Sequence, residues 1–140
     1  MQGDEPQGSA PRGTILIVED NELNLKLLKD VLDFQGYSTV VTGLGAAAFD
    51  LARQHRPDLI LCDLHLPDMD GTEVLQRLRG DARTQSIPVI IVSADAMPHQ
   101  AERLKKAGAD AYVTKPLNVR ELLGLIKRSL EKSRRELPSS

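Results

Sequence analysis

Five times along the chain a short β-branched or aliphatic run stops at a polar residue, and each time a stretch with helical spacing follows. The runs are Thr14–Val18, closed by Glu19 and Asp20; Tyr37–Val41; Leu59–Cys62, closed by Asp63; Pro88–Val92, closed by Ser93; and Ala111–Val113, followed by Lys115 and Pro116. Between and after them, apolar spacing predicts helices over Asn21–Gln35, Ala46–Arg53, Thr72–Arg79, Pro98–Ala107 and Val119–Lys132. The first is the clearest: Leu23, Leu27, Leu28, Val31, Leu32 and Phe34 recur at helical intervals, with Asn21 as cap and Gly36 as stop. Short strands apolar on both faces, alternating strictly with helices, require crossover connections. They therefore predict a doubly wound α/β domain with a parallel five-stranded sheet.

At 140 residues, 41% hydrophobic and 27% charged, the chain has the size and composition of one domain with a real core. The Pro/Gly-rich segment 1–13 reads as a flexible arm, 14–132 as the domain and 133–140 as a flexible tail. No apolar stretch approaches the roughly 18 residues of a membrane span, and the start lacks a signal-peptide plan. Cys62, the sole cysteine, cannot form an intramolecular disulfide and fits as a small buried hydrophobe in a reducing cytoplasm. A net charge of −2 argues against direct nucleic-acid binding. The late cations Lys127, Arg128, Lys132, Arg134 and Arg135 read as complements to a helix C-terminus. His55, His65 and His99 are too dispersed to join Cys62 in a zinc site.

In open α/β sheets, ligands bind beyond the carboxyl ends of the strands. The residues there are Glu19, Asp20, Asp63, Ser93 and Lys115. Three carboxylates at one edge repel one another, so a hard divalent cation is expected; Mg²⁺ takes a few carboxylate oxygens and keeps room for phosphate. Beside such an ion Asp63 can act as a nucleophile toward phosphorus. Lys115 and Ser93 can then bind phosphoryl oxygens and distinguish the modified state from the free one.

Four segments carry a family resemblance: Ile15-Leu-Ile-Val-Glu-Asp-Asn21, Asp58-Leu-Ile-Leu-Cys-Asp-Leu-His-Leu-Pro-Asp-Met-Asp-Gly71, Val89-Ile-Ile-Val-Ser-Ala94 and Ala111-Tyr-Val-Thr-Lys-Pro116. They resemble the receiver domains of bacterial two-component response regulators, over about residues 14–132. The resemblance implies a flavodoxin-like (βα)5 fold with strand order 2-1-3-4-5. It implies phosphorylation of Asp63, with Mg²⁺ bound by Asp20, the Asp63 side chain and the His65 backbone carbonyl, and by Glu19 largely through water. Ser93 and Lys115 would hold the phosphoryl group, the Lys115–Pro116 bond would be cis, and Tyr112 would be the switch aromatic. The face from about Pro98 to Leu130 would recognise a downstream protein. His65 and Asp95 would flank the phosphoryl group and tune its lifetime.

The donor implied is a histidine kinase or a histidine phosphotransfer protein, and the protein itself a monomer or weak dimer in the bacterial cytoplasm. The segment Glu19-Asp-Asn-Glu-Leu-Asn-Leu-Lys-Leu-Leu28 is similar to stand-alone DivK-type regulators and to receivers of hybrid kinases. Little chain follows the last helix, so output is expected through a partner and the protein is expected not to be a conventional enzyme. Two rivals stand beside this reading. Asp68-Met-Asp-Gly-Thr72 spells the nucleophile motif of haloacid-dehalogenase-type phosphatases, though it follows Pro67 in a loop instead of ending a strand. The other is an interaction module that keeps the fold and works without phosphorylation.

Overall fold

The computed structural model describes residues 12–94 and 98–136. Of the arm predicted at 1–13 only Arg12 and Gly13 lie inside these residues, and of the tail predicted at 133–140 only 133–136, which are helical and not tail; Asp95 lies outside. Within them the chain runs β1 (Thr14–Val18), α1 (Glu22–Phe34), β2 (Ser38–Thr42), α2 (Gly45–His55), β3 (Leu59–Asp63), α3 (Gly71–Arg79), β4 (Val89–Ser93), α4 (Pro98–Lys106), β5 (Ala111–Thr114) and α5 (Val119–Glu136). The sheet is parallel throughout, in the order β2-β1-β3-β4-β5. The expected doubly wound fold is therefore the one observed. No helix among the described residues is long and apolar enough to cross a membrane.

Alternation along each strand divides the core. Leu16, Val18, Ile60, Cys62, Val89 and Ile91 pack with Ala48 and Ala52 of α2, Val74, Leu75 and Leu78 of α3, and Leu104 of α4. Ile15, Ile17, Leu59, Leu61 and Ile90 point the other way, onto Leu28 and Leu32 of α1 and Leu122, Ile126 and Leu130 of α5. Strands β1, β3 and β4 are buried on both sides and so are apolar at nearly every position, which makes them legible as continuous apolar runs between polar residues. Cys62 lies wholly inside, as expected of a small hydrophobe.

Element ends differ from the sequence reading where the deciding contact is not local. Asn21 caps α1 as predicted, its side chain accepting from the Asn24 N–H at 2.9 Å, and Gly36 leaves the helix at φ +95°. Strand β2 sits one residue later than expected. Helix α2 begins one residue early, at Gly45, and ends on Arg56 in the left-handed region, φ +47°. Helix α5 continues to Glu136, four residues past its predicted end. On α1, Leu23, Leu27 and Phe34 face outward, with Phe34 88% exposed, while Leu28 and Leu32 are buried.

At the amino end of the sheet Arg79, from the last turn of α3, ties three segments together. Its guanidinium donates to the carbonyls of Gly108 (2.7 Å), Ile87 (2.7 Å) and Gln85 (3.0 Å) and to Asp110 Oδ2 (3.1 Å). The same Asp110 oxygen accepts the Val89 N–H at 2.8 Å. Gly108, at φ +110°, lets the α4–β5 turn approach, since a Cβ there would lie 3.0 Å from the Arg79 side chain. Removing this hub orphans several part-buried acceptors. Arg79→Ala is expected to lower stability by about 2–3 kcal/mol in urea denaturation. Arg79→Lys should recover only part of it, because an ammonium cannot span the same acceptors.

Candidate functional site

The parallel register brings the ends of β1, β3, β4 and β5 to one edge. Asp63 is the last residue of β3 and pairs in register with Val92, which puts Ser93 one residue further on in β4. Ser93 is opposite Thr114, so Lys115 follows directly at the end of β5, and its N–H donates to the Ser93 carbonyl at 2.8 Å. Glu19 and Asp20 leave β1 beside them. The Lys115–Pro116 bond is cis, as the resemblance implied.

Lys115 joins two buried carboxylates. Its Nζ lies 3.2 Å from Asp63 Oδ2 and 3.3 Å from Glu19 Oε1. The other Glu19 oxygen accepts the Asn21 N–H at 3.1 Å, and Asp63 Oδ1 accepts the His65 N–H at 3.3 Å. Glu19 is 3% exposed and Asp63 7%, whereas Asp20 opens to solvent. Burial, reinforced by the charge of Asp63, holds the Glu19 carboxyl above the usual carboxylate range against the pull of Asn21 and Lys115. For Lys115 burial works against the ammonium, but Asp63 and Glu19 outweigh it and raise its pKa.

Carboxylate oxygens of Glu19, Asp20 and Asp63 lie within 4.8 Å of one another. They make the set of acids best placed for a metal among the described residues. Three carboxylates against one ammonium leave the edge net negative, and every donor is a hard oxygen. The neighbouring Cys62 thiol is pushed far up by burial and then by the charges of Asp63, Asp70 and Glu19, so it offers no soft ligand. This donor set fits Mg²⁺.

The predicted residues do not all converge. Ser93 is fully buried at the edge. His65 is exposed and reaches the cluster through its backbone. Tyr112 is opposite Ile91, two positions short of the edge, half-buried against the α2–α3–α4 side of the core. It borders a cleft of about 450 Å³ with Val113, Arg120, Leu125 and Arg128.

Asp68 and Asp70 have occupations that the sequence reading missed. Asp70 caps α3 by accepting the Thr72 N–H at 2.7 Å. Asp68 reaches the start of α2, where Oδ1 accepts the Gly45 N–H at 2.8 Å and Oδ2 the Ala46 N–H at 3.0 Å. Those two backbone bonds hold the Asp68 carboxyl below the usual range. The Asp70 cap had a local signal, an Asp three residues before Glu73 at a helix start. The Asp68 cap had none, because its helix lies more than twenty residues away. Both acids of the phosphatase-like motif are thus helix caps, and the strand end belongs to Asp63.

Residues 15–127 match the model of the response regulator receiver domain. The chain belongs to that family. It is 47% identical over 117 residues to the polar-differentiation response regulator DivK of Brucella anthropi, covering 84% of this chain and 95% of that one, and 46% identical over the same length to DivK of Brucella ovis. Among solved structures, a CheY-like receiver domain from Methanospirillum hungatei superposes with TM-score 0.82 at 33% identity, over 89% of this chain and 98% of its own. The receiver domain of a sensor histidine kinase from Pseudomonas aeruginosa, with magnesium coordinated in its active-site cleft, gives 0.79 at 30% identity over 85% and 98%. Neither rival reading of the sequence is favoured by this kinship.

The raised Glu19 carboxyl has a consequence for the metal-free receiver. Between the ordinary glutamate value near 4.5 and the higher folded value, the folded state binds more protons than the unfolded one. Stability is therefore expected to fall as pH rises through that window. Glu19→Gln should flatten this slope in urea titrations without Mg²⁺ and leave the variant more stable than the native chain at pH 7.

Proposed function

We propose that this receiver takes a phosphoryl group from a phosphohistidine onto Asp63 and so switches a protein-docking face. The observation that carries the reading is the coincidence of a buried carboxylate, a lysine bridging it to a second buried acid, and an exposed third acid at one strand edge. In this reading an Asp63 carboxylate oxygen attacks phosphorus as the phosphorus–nitrogen bond to the donor histidine breaks, giving an acyl phosphate. Mg²⁺ would be held by Asp20, Asp63 and the His65 carbonyl, with Glu19 acting through water. When bound it would neutralise the gathered charge and orient the phosphoryl oxygens.

The chain's own residues supply the remainder. Lys115 already sits on Asp63 Oδ2, and its ammonium pairs with the charge added there. Ser93, one residue further along the neighbouring strand, donates its hydroxyl to another phosphoryl oxygen, and Tyr112 responds to that movement. His65 flanks the group and sets its lifetime. The downstream partner reads the face from about Pro98 to Leu130, which includes the Tyr112 cleft. The domain begins near Thr14 and takes in α5 as far as Glu136. It works as a signalling protein in the bacterial cytoplasm, as a monomer or weak dimer, with a histidine kinase or histidine phosphotransfer protein as donor and no direct contact to nucleic acid.

Incubation with a ³²P-labelled histidine kinase in Mg²⁺ is expected to label the native chain and leave Asp63→Asn unlabelled. Beryllofluoride with Mg²⁺ should shift the amide resonances of Ser93 and Tyr112. Label that survives Asp63→Asn, or labelling indifferent to chelation, overturns the reading, and no modification at all returns the chain to a phosphorylation-independent interaction module.

A further inference from the structure

The loop between β3 and α3 carries the acceptor at one end and is pinned at the other. Its carboxyl end is closed by the Asp70 cap, by the Gly71 N–H on the Leu64 carbonyl at 2.6 Å and by an antiparallel bridge between His65 and Asp70. Its tip is held by another element altogether. Leu44, at the N-cap position of α2, makes no side-chain cap bond, and both oxygens of Asp68 take its place on the Gly45 and Ala46 N–H groups. Met69 lies over Gly45 so closely that a Cβ there would fall 2.5 Å from Met69 Cγ and 2.9 Å from its sulfur. The Met69 carbonyl returns to accept the Leu66 N–H at 3.3 Å.

We infer that Asp68 is a positioning residue for the acceptor site. By capping α2 from the loop, it holds the backbone at His65, whose N–H donates to Asp63 Oδ1 and whose carbonyl the proposed function assigns to Mg²⁺. The inference rests on the reading of Asp63 as acceptor and extends it to a residue that touches none of the reacting atoms. Two independent features carry it: the bidentate cap supplied from outside the helix, and a glycine whose missing side chain is the seat of the next loop residue. Supporting groups one layer out from a metal site typically change its affinity by 10- to 100-fold when removed.

The test compares native chain, Asp68→Ala, Asp68→Asn and Gly45→Ala, with Arg79→Ala as a destabilised control altered at the opposite end of the sheet. Mg²⁺ alone is titrated by calorimetry, and hydrogen exchange of the His65 amide is followed by NMR in metal-free protein. Asp68→Ala is expected to weaken Mg²⁺ binding about tenfold or more and to speed His65 exchange. Gly45→Ala, which keeps the carboxylate but displaces Met69, should do the same in smaller measure. Asp68→Asn, which retains one acceptor oxygen, should fall between Asp68→Ala and native, and Arg79→Ala should bind Mg²⁺ as native does. Native affinity and native His65 exchange in Asp68→Ala and Gly45→Ala overturn the inference and leave Asp68 a helix cap only. Equal weakening in Arg79→Ala overturns it too, by making the effect one of general stability. A native chain that binds no Mg²⁺ refutes the underlying site reading, and that result is visible before any variant is compared.

Discussion

Two buried carboxylates, Glu19 and Asp63, share one ammonium. Without Lys115 the carboxyl edge of the sheet would hold two buried like charges offset only by one backbone N–H each, at a cost of several kcal/mol for each unpaired ion. The lysine reduces that cost without removing it, as the raised Glu19 carboxyl records. The edge is therefore held together by an ion pair and still left with surplus negative charge. A site in that condition favours whatever further cation can reach it, and the exposed Asp20 marks the open side.

The rest of the architecture serves to bring those three side chains from positions 19, 63 and 115 into contact. Parallel pairing sets the register, and because the apolar runs of β1, β3 and β4 stop at Glu19, Asp63 and Ser93, a slipped strand would draw a polar group into the core. The opposite rim is built on different lines. There Arg79 gathers carbonyls from the α3–β4 and α4–β5 connections and pairs with Asp110, so that its charge is spent on structure.

How much of this was legible in the sequence follows from the range of each interaction. The strands, the α1 cap and the acids at the strand ends were readable because each depends on near neighbours or on periodicity. That Lys115 and Asp63 share one edge came from topology and the family resemblance, which gives Lys115 to the phosphoryl group; its bond to Asp63 itself emerges only in the fold. Asp68 was misleading for the same reason: its letters suggested chemistry, whereas its partner is the start of a helix more than twenty residues earlier. Arg79 enters the sequence reading only as the last residue of a helix, because all its acceptors lie beyond the helix that carries it. The end of α5 was placed four residues short, for the pattern of charge there resembles a helix terminus whether or not the helix stops.

Helix α1 shows what such a division of labour permits. Leu28 and Leu32 turn inward and are nearly inaccessible, while Leu23, Leu27 and Phe34 stand on the outer side of the same helix. Leu23 and Phe34 are 78% and 88% exposed, so substitutions there should have small effects on folding that add to those of changes in the core. The surface of this helix can therefore diverge between related proteins while the sheet beneath it, and the acids at its rim, stay as they are.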